Sequence, residues 1–492
     1  MLRHHNWGKT MPHTQDMNAD RSTEAPSAVA GASRMCWDKL LKRCNWDGKK
    51  PAYDKGRLLF QKDGDKLIYS EPFRRLMGKT QVHPFPDNDH IHNRLIHSME
   101  VSCVGRTLGM RIGHVLRDKG DLPQGYTPDD VAAIVHAACL AHDIGNPPFG
   151  HAGEFAIRQW FASTFRSDRK AHWVHDISDA EMMDFTSFDG NAQGFRVVNK
   201  LEYNFDQGGM RLSFPTVASM VKYPWGSGEQ LAKRGNIYKY GIYQDDLPLF
   251  KHVADEIGLL EIVPGRRWAR HPLSYLMEAA DDICYALLDI EDGIEIGKIA
   301  FDEFARVVQQ YHPDQYHAAM KSMEKGSNRY KLARIRGSII DEVIEDVIRT
   351  FVRHYDAIMC GQYAGDLINN CPERTKGLIN KLKAMAYKDV FVSHGKVKIE
   401  IGAYNSIGIV LETFCEAVSE VIRYGHDDDK LSYRSIRVMD ILEDKRSGYA
   451  RFQDDFSPYQ YYLSIVDYVA GMTDRYLTSI AADISGTYVP GR

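Results

Sequence analysis

Apolar positions recur at three- and four-residue steps along most of this chain, and the elements they predict are helices. In NRLIHSMEVSCVGRTLGMRIGHVL, starting at residue 93, Leu95, Met99, Val101, Val104, Leu108, Ile112 and Leu116 trace one face of a long amphipathic helix with His97 near its start. PDDVAAIVHAACLAHDIG opens with acids that suit a helix N-terminus and closes at Gly145, which places His142 and Asp143 on its last turn. PLSYLMEAADDICYALLDIEDGIEI begins at Pro272 and is apolar on most sides, the pattern of a helix buried in a core. FCEAVSEVIRYG and YQYYLSIVDYVAGMTDRYL predict later helices that frame a C-terminal subdomain. Strand-like alternation is scarce. Its best instance, DVFVSHGKVKIEIGAY over residues 389–404, predicts a hairpin turning at Gly395. The expected fold is mainly α with at most a small β-hairpin.

Residues 1–34 lack periodic apolar positions and are rich in Ser, Thr, Ala, Asn and His, so they read as a disordered tail. Beyond residue 35 there is no internal repeat and no linker-like stretch. The remaining length, within 492 residues that are 43% hydrophobic, suffices for a large core. A formal charge of -4 gives no bulk signature of a nucleic-acid or membrane partner. The basic run PGRRWARH, residues 264–271, reads as a solvated loop, with a phosphate contact as the alternative. Eight cysteines without a C-x-x-C pair suit free thiols in a reducing compartment. The first residues lack the apolar run of a signal peptide, and no stretch approaches the roughly 18 apolar residues that span a bilayer. A cytoplasmic protein without membrane contact is expected.

One segment breaks the apolar pattern: LAHDIGNPPFGHAGE, residues 140–154, runs from a buried-type helix into His142-Asp143 and then returns His151 and Glu154. A histidine next to an aspartate can offer an imidazole nitrogen and a carboxylate oxygen to one ion. His97 lies on the preceding helix, and consecutive helices usually pack as neighbours. Asp281 sits inside a strongly apolar helix, where an unpaired carboxylate is costly unless a cation meets it. Two imidazoles and two carboxylates suit Mg²⁺, Mn²⁺, Fe²⁺ or Co²⁺ with open water positions better than a closed structural zinc site. The plainer alternatives are a capping His-Asp pair and an Asp281 or Asp282 that only caps or salt-bridges; His90, His92 and His136 read as core or solvated histidines. A divalent ion beside His151 and Glu154 points to phosphate-ester hydrolysis. His151 would protonate the leaving oxygen, supported by Glu154 on the same helical face, or else would merely cap a helix after Gly150.

NRLIHSMEV, AHDIGNPPFGHAGE and EAADDICY, in that order, resemble the H…HD…D pattern of HD-domain phosphohydrolases. FRRLMGKTQV, GNPPFGHAGE, DGNAQGFRVV, KYP and VAGMTD are similar to the narrower deoxyguanosinetriphosphate triphosphohydrolase branch, and the matches run from about residue 70 to 475. The resemblance implies an HD-domain helical fold with a catalytic core over 35–300 and a helical region over 301–492 that completes the fold and makes subunit contacts. It implies attack on the α-phosphorus of dGTP or other dNTPs, with release of deoxynucleoside and tripolyphosphate. By carry-over, His97, His142, Asp143 and Asp281 hold Mg²⁺ or Mn²⁺, with Fe²⁺ or Co²⁺ as alternatives, and His151 with Glu154 forms the catalytic pair.

Arg94, three residues before His97, shares that ligand's helical face and matches a phosphate-binding arginine of the wider family; Lys222 matches a phosphate-contacting lysine. Tyr285 and Asp289 follow Asp281 at i+4 and i+8, and in the family this row meets the deoxyribose. Gln81 matches a sugar-touching glutamine, while Asn146 lies in the matched loop as a substrate contact or a turn residue before Pro147. YQYYLSIVDYVAGMTD lacks the arginines that some relatives carry before the aspartate, which leaves dGTP preference and broader dNTP hydrolysis both open. Family members are commonly homo-oligomers, often hexamers, and some respond to single-stranded DNA. The alternatives are an HD phosphohydrolase for another nucleotide and a non-catalytic nucleotide- or DNA-binding assembly.

Overall fold

The computed structural model describes residues 33–46, 59–82, 88–202, 208–234, 237–322, 326–392, 394–425, 427, 429–442, 452–453 and 455–487. Of the expected disordered tail over 1–34, everything before residue 33 lies outside the described residues. The chain is mainly α-helical, as the spacing of its apolar residues predicts.

The first long helix spans Arg94–Lys119. Asn93 caps it by accepting from the Ile96 amide at 3.1 Å, and Gly120, at φ 77°, ends it. Val101, Val104, Leu108, Ile112 and Leu116 are buried as the pattern predicts, but Met99 points outward. Glycines complete the inner face. A Cβ on Gly113 would lie 2.6 Å from the Pro128 Cα, and one on Gly109 would lie 2.9 Å from the Ala132 Cα. The Pro128–Ala141 helix therefore packs almost backbone to backbone against Arg94–Lys119, which sets His97 and His142 on facing elements. The third site-bearing helix, Ser274–Glu295, starts two residues after Pro272 and is buried over most of its length.

Two apolar clusters organise the molecule. One gathers Arg94–Lys119, Pro128–Ala141, Phe214–Met220, Ser274–Glu295, Asn328–Arg353 and Glu373–Ala386. The other gathers His151–Phe165, His394–Tyr424, Pro458–Gly471 and Asp474–Ile484. The loop carrying His142 and Asp143 crosses between them, with Ile144 in the first cluster and Phe149 in the second. Among the described residues the strands form two small antiparallel pairs, Ala232–Arg234 with Ile237–Lys239 and Glu261–Val263 with Arg267–Trp268.

The hairpin expected over 389–404 does not form. Tyr387–Phe391 is a π-helical turn, and His394–Tyr424 is one helix that includes Gly395. The alternation at Val397, Ile399 and Ile401 arises because Val397 and Ile401 stand on the exposed side of the helix. Farther along, Ala403, Ile407, Val410, Leu411 and Phe414 are buried at helical steps and decide the outcome. The stretch YQYYLSIVDYVAGMTDRYL forms two helices, Pro458–Gly471 and Asp474–Ile484, with Thr473 capping the second through the Tyr476 amide at 3.2 Å.

Candidate functional site

Three chain segments bring the His-Asp residues together. His97 lies one turn into Arg94–Lys119, His142 follows the last residue of Pro128–Ala141, and Asp281 sits on Ser274–Glu295. Ligand atoms of His97, His142 and Asp143 all lie within 4.8 Å of one another. Asp281 closes the group: its Oδ1 is 3.2 Å from His97 Nε2 and 3.6 Å from His142 Nε2. His142 Nδ1 is 2.7 Å from the Cys139 carbonyl. A carbonyl can only accept, so Nδ1 carries a proton and Nε2 is the nitrogen turned to the carboxylates, the atom that would offer its lone pair to a cation. That Nε2 is buried and has no hydrogen-bond partner, which is the state expected of a metal ligand.

Charged neighbours hold the carboxylates ionised. Burial pushes the Asp143 carboxyl up, but Arg94 and the two imidazoles outweigh it and hold it at about 2. Arg94 donates from NH1 to Asp143 Oδ2 at 2.7 Å, and the Asn146 amide donates to the other oxygen. Burial likewise opposes ionisation of Asp281, yet Lys222, donating to Oδ2 at 2.7 Å, keeps that carboxyl well below the usual range. The donor set of two imidazoles and two ionised carboxylates fits a divalent cation.

His151 opens the His151–Phe165 helix. Gly150, not His151, is the cap residue, so the capping alternative for His151 does not hold. The His151 side chain is 59% exposed, and its Nδ1 lies 3.2 Å from Glu154 Oε2. Glu154 is buried, accepts from the Gly190 amide at 2.9 Å and from Arg158 at 3.0 Å, and lies 3.8 Å from Lys239. Burial opposes its charge, but Lys239 and Arg158 hold the carboxyl well below its usual value, so Glu154 is an anion that can support an imidazolium. Gly150, directly before His151, lies against the Arg94 side chain that holds Asp143. At φ 56° and ψ -123° its backbone is closed to side-chain residues at a cost of about 1–3 kcal/mol, and a Cβ there would lie 2.2 Å from Arg94 NH2.

The other expected residues sit around this centre in different states. Lys222 is engaged by Asp281, and Asn146 by Asp143 rather than by the surrounding space. The Gln81 Oε1 is buried without a hydrogen-bond partner. Tyr285 stacks on Phe391 with ring centroids 6.1 Å apart at 17°. Asp289 is buried with Oδ2 unpartnered, and burial, aided by Asp292, pushes its carboxyl well above the usual range. His92 is neither core filler nor solvated: its Nδ1 lies 2.6 Å from Asp292, and despite burial Asp292 and Glu100 raise it to about 10.

Sequence reasoning missed Arg158, Lys239, Lys79 and Asp474. Arg158 was findable at i+4 from Glu154 on a predicted helix. Lys79 and Asp474 lie inside the matched motifs FRRLMGKTQV and VAGMTD, but no role is read for them, and Lys239 reaches the site from a distant segment without a local signal.

The HD domain family matches residues 94–181, a span that includes His97, His142, Asp143, His151 and Glu154. The chain is 42% identical over 458 residues to a deoxyguanosinetriphosphate triphosphohydrolase-like protein of Pseudomonas aeruginosa, covering 93% of this chain and 100% of that protein. A protein of the same name from Synechocystis is 34% identical over 92% of this chain and 99% of its own length. Another from Listeria monocytogenes is 32% identical over 92% of this chain and 100% of its own.

Proposed function

The chain belongs to the HD-domain family of deoxyguanosinetriphosphate triphosphohydrolase-like proteins, and from that premise we propose that it hydrolyses dGTP, and with it other dNTPs, to deoxynucleoside and tripolyphosphate. His97, His142, Asp143 and Asp281 would hold the cation, Mg²⁺ or Mn²⁺ before Fe²⁺ or Co²⁺. A bound divalent cation supplies Lewis acidity to a phosphate oxygen and lowers the pKa of water. The orphaned, buried Nε2 of His142, aimed into a cluster of ionised carboxylates, is the observation that carries this reading.

In the reaction, a water oxygen bonds to the α-phosphorus as the P–O5′ bond breaks, and O5′ takes up a proton. His151 is the residue to hold and pass that proton, with Glu154 stabilising the charged ring and fixing its orientation. Arg94 and Lys222 have planar or point positive charge to offer the triphosphate once it competes for their present carboxylate partners. Gln81, Tyr285 and Asp289 would meet the deoxyribose; burial and Asp292 push the Asp289 carboxyl up, which favours the protonated form that can donate to a sugar oxygen. We further expect a homo-oligomer built through residues 301–492 around the 35–300 core. No helix of the described residues is long and apolar enough to cross a membrane.

The test is a product assay with Mn²⁺ or Mg²⁺, the four dNTPs and GTP, resolving nucleoside, tripolyphosphate, pyrophosphate and phosphate. Deoxynucleoside with tripolyphosphate is the expected result, and the ranking of the four separates dGTP preference from general dNTP hydrolysis. No tripolyphosphate from any nucleotide, with or without single-stranded DNA, overturns the assignment.

A further inference from the structure

Lys79 is 3% exposed, and its amino group meets two backbone carbonyls: it donates to Asn146 O at 2.6 Å and to Ala470 O at 2.8 Å. Next to it, Asp474 is 2% exposed and accepts from the Phe149 amide at 2.8 Å, the Thr80 amide at 2.9 Å and the Thr80 hydroxyl. Three segments far apart in sequence are joined this way: 79–80, the 146–149 loop, and the turn between the two C-terminal helices. The loop they grip is the one that carries His142, Asp143 and His151, and it needs gripping. Phe149 sits at φ 59°, left-handed backbone that a phenylalanine adopts only under constraint, directly before the constrained Gly150. The same short segment also touches the other side of the site, since the Arg94 amide donates to the Lys79 carbonyl at 3.3 Å and Thr80 pairs with Asn93.

We propose that Lys79 and Asp474 are positioning residues for the reaction, clasping the 142–151 loop so that His151 faces the cation-binding cluster in register. Neither side chain touches a group placed at the reacting phosphorus; both act through the backbone of the loop. The proposal rests on the triphosphohydrolase reading for its kinetic consequences. Mere filling of space does not explain a lysine buried here, because a buried amine is costly unless its donors are matched, and these are spent on carbonyls of two separate segments. The carbonyl of Asn146 and that of Ala470 can be tied together only by a donor that reaches both.

The experiment compares Lys79→Met, Asp474→Asn and Asp474→Ala with the wild type in full-length, Mn²⁺-loaded protein, reading kcat and KM for dGTP together with amide hydrogen exchange over residues 142–151. A displacement of about 1 Å at reacting groups can cost on the order of 100-fold in rate. Lys79→Met is expected to lower kcat roughly 10- to 100-fold with KM changed less than about threefold. It should also speed exchange at Phe149 even though Asp474 is intact. Asp474→Asn, which keeps an acceptor for the Phe149 amide, should recover much of the kcat that Asp474→Ala loses. Wild-type kcat and unchanged loop exchange in Lys79→Met overturn the clasp, as does a rate loss that merely follows the unfolded fraction. If Lys79→Met does not fold, the Asn/Ala pair at 474 decides alone. A wild type that makes no tripolyphosphate defeats the functional reading instead, and loop exchange still decides the clasp.

Discussion

On the proposed reading His151 serves the proton and Asp281 the cation, and single substitutions should separate them. His151→Ala is expected to lower turnover about 10²–10⁴-fold, the usual worth of a general acid, while Mn²⁺ binding followed by calorimetry stays intact. Asp281→Ala should lose both, and it leaves the Lys222 ammonium buried without its carboxylate, at about 3–5 kcal/mol of stability in a denaturant titration. Gly150→Ala adds a methyl where Arg94 NH2 stands and a side chain to a backbone that excludes one. Arg94 must then leave Asp143, so a fall of at least roughly tenfold in kcat is expected, beyond a destabilisation of about 1–3 kcal/mol. The histidines and aspartates of the cluster were legible in the sequence because their chemistry is costly in apolar helices. Lys239 was not, and Lys79 and Asp474 were visible only as members of matched motifs without a role, because a lysine or aspartate gains its meaning from partners that only folding supplies.

Among the elements, the helices were readable from apolar spacing, yet two features needed tertiary information. Gly105, Gly109 and Gly113 belong to the inner face of Arg94–Lys119, but glycine carries no hydrophobic signal; its role shows only against Pro128–Ala141. The start of His394–Tyr424 reads as a strand because β-branched residues occupy its solvent side. Asp184, on the Asp179–Thr186 helix, ties three elements together: Tyr459 of Pro458–Gly471 donates to it at 2.6 Å and the Gln244 amide at 2.8 Å. Burial pushes its carboxyl up to about 7 against the opposing effect of those donors. A carboxyl raised on folding is taken up protonated, so its contribution is complete below the unfolded value near pH 4 and is lost as pH rises towards 7. Asp184→Asn keeps an acceptor and never ionises. It should therefore stabilise the protein at pH 8, by at most about 4 kcal/mol, with the gain fading below about pH 4 when thermal melts are compared across pH.

For the whole molecule, the two apolar clusters meet along several segments, the 142–151 loop among them, and the helices that carry or lead into His97, His142 and Asp281 belong to the first. A cation there binds only the folded chain, so Mn²⁺ at about 100 times its Kd should add about 2.7 kcal/mol of stability to the wild type and to His151→Ala. Asp281→Ala should show no such gain, and a chelator should reverse it, both checked by calorimetry. The clasp also has a consequence in time. Protein synthesis delivers His97, His142, Asp143 and Asp281 long before Asp474, a delay on the order of 10–40 s at about 5–20 residues per second. During that interval the 142–151 loop is still untied, so the activity proposed for this chain would begin only once the far end of the polypeptide has been made and docked.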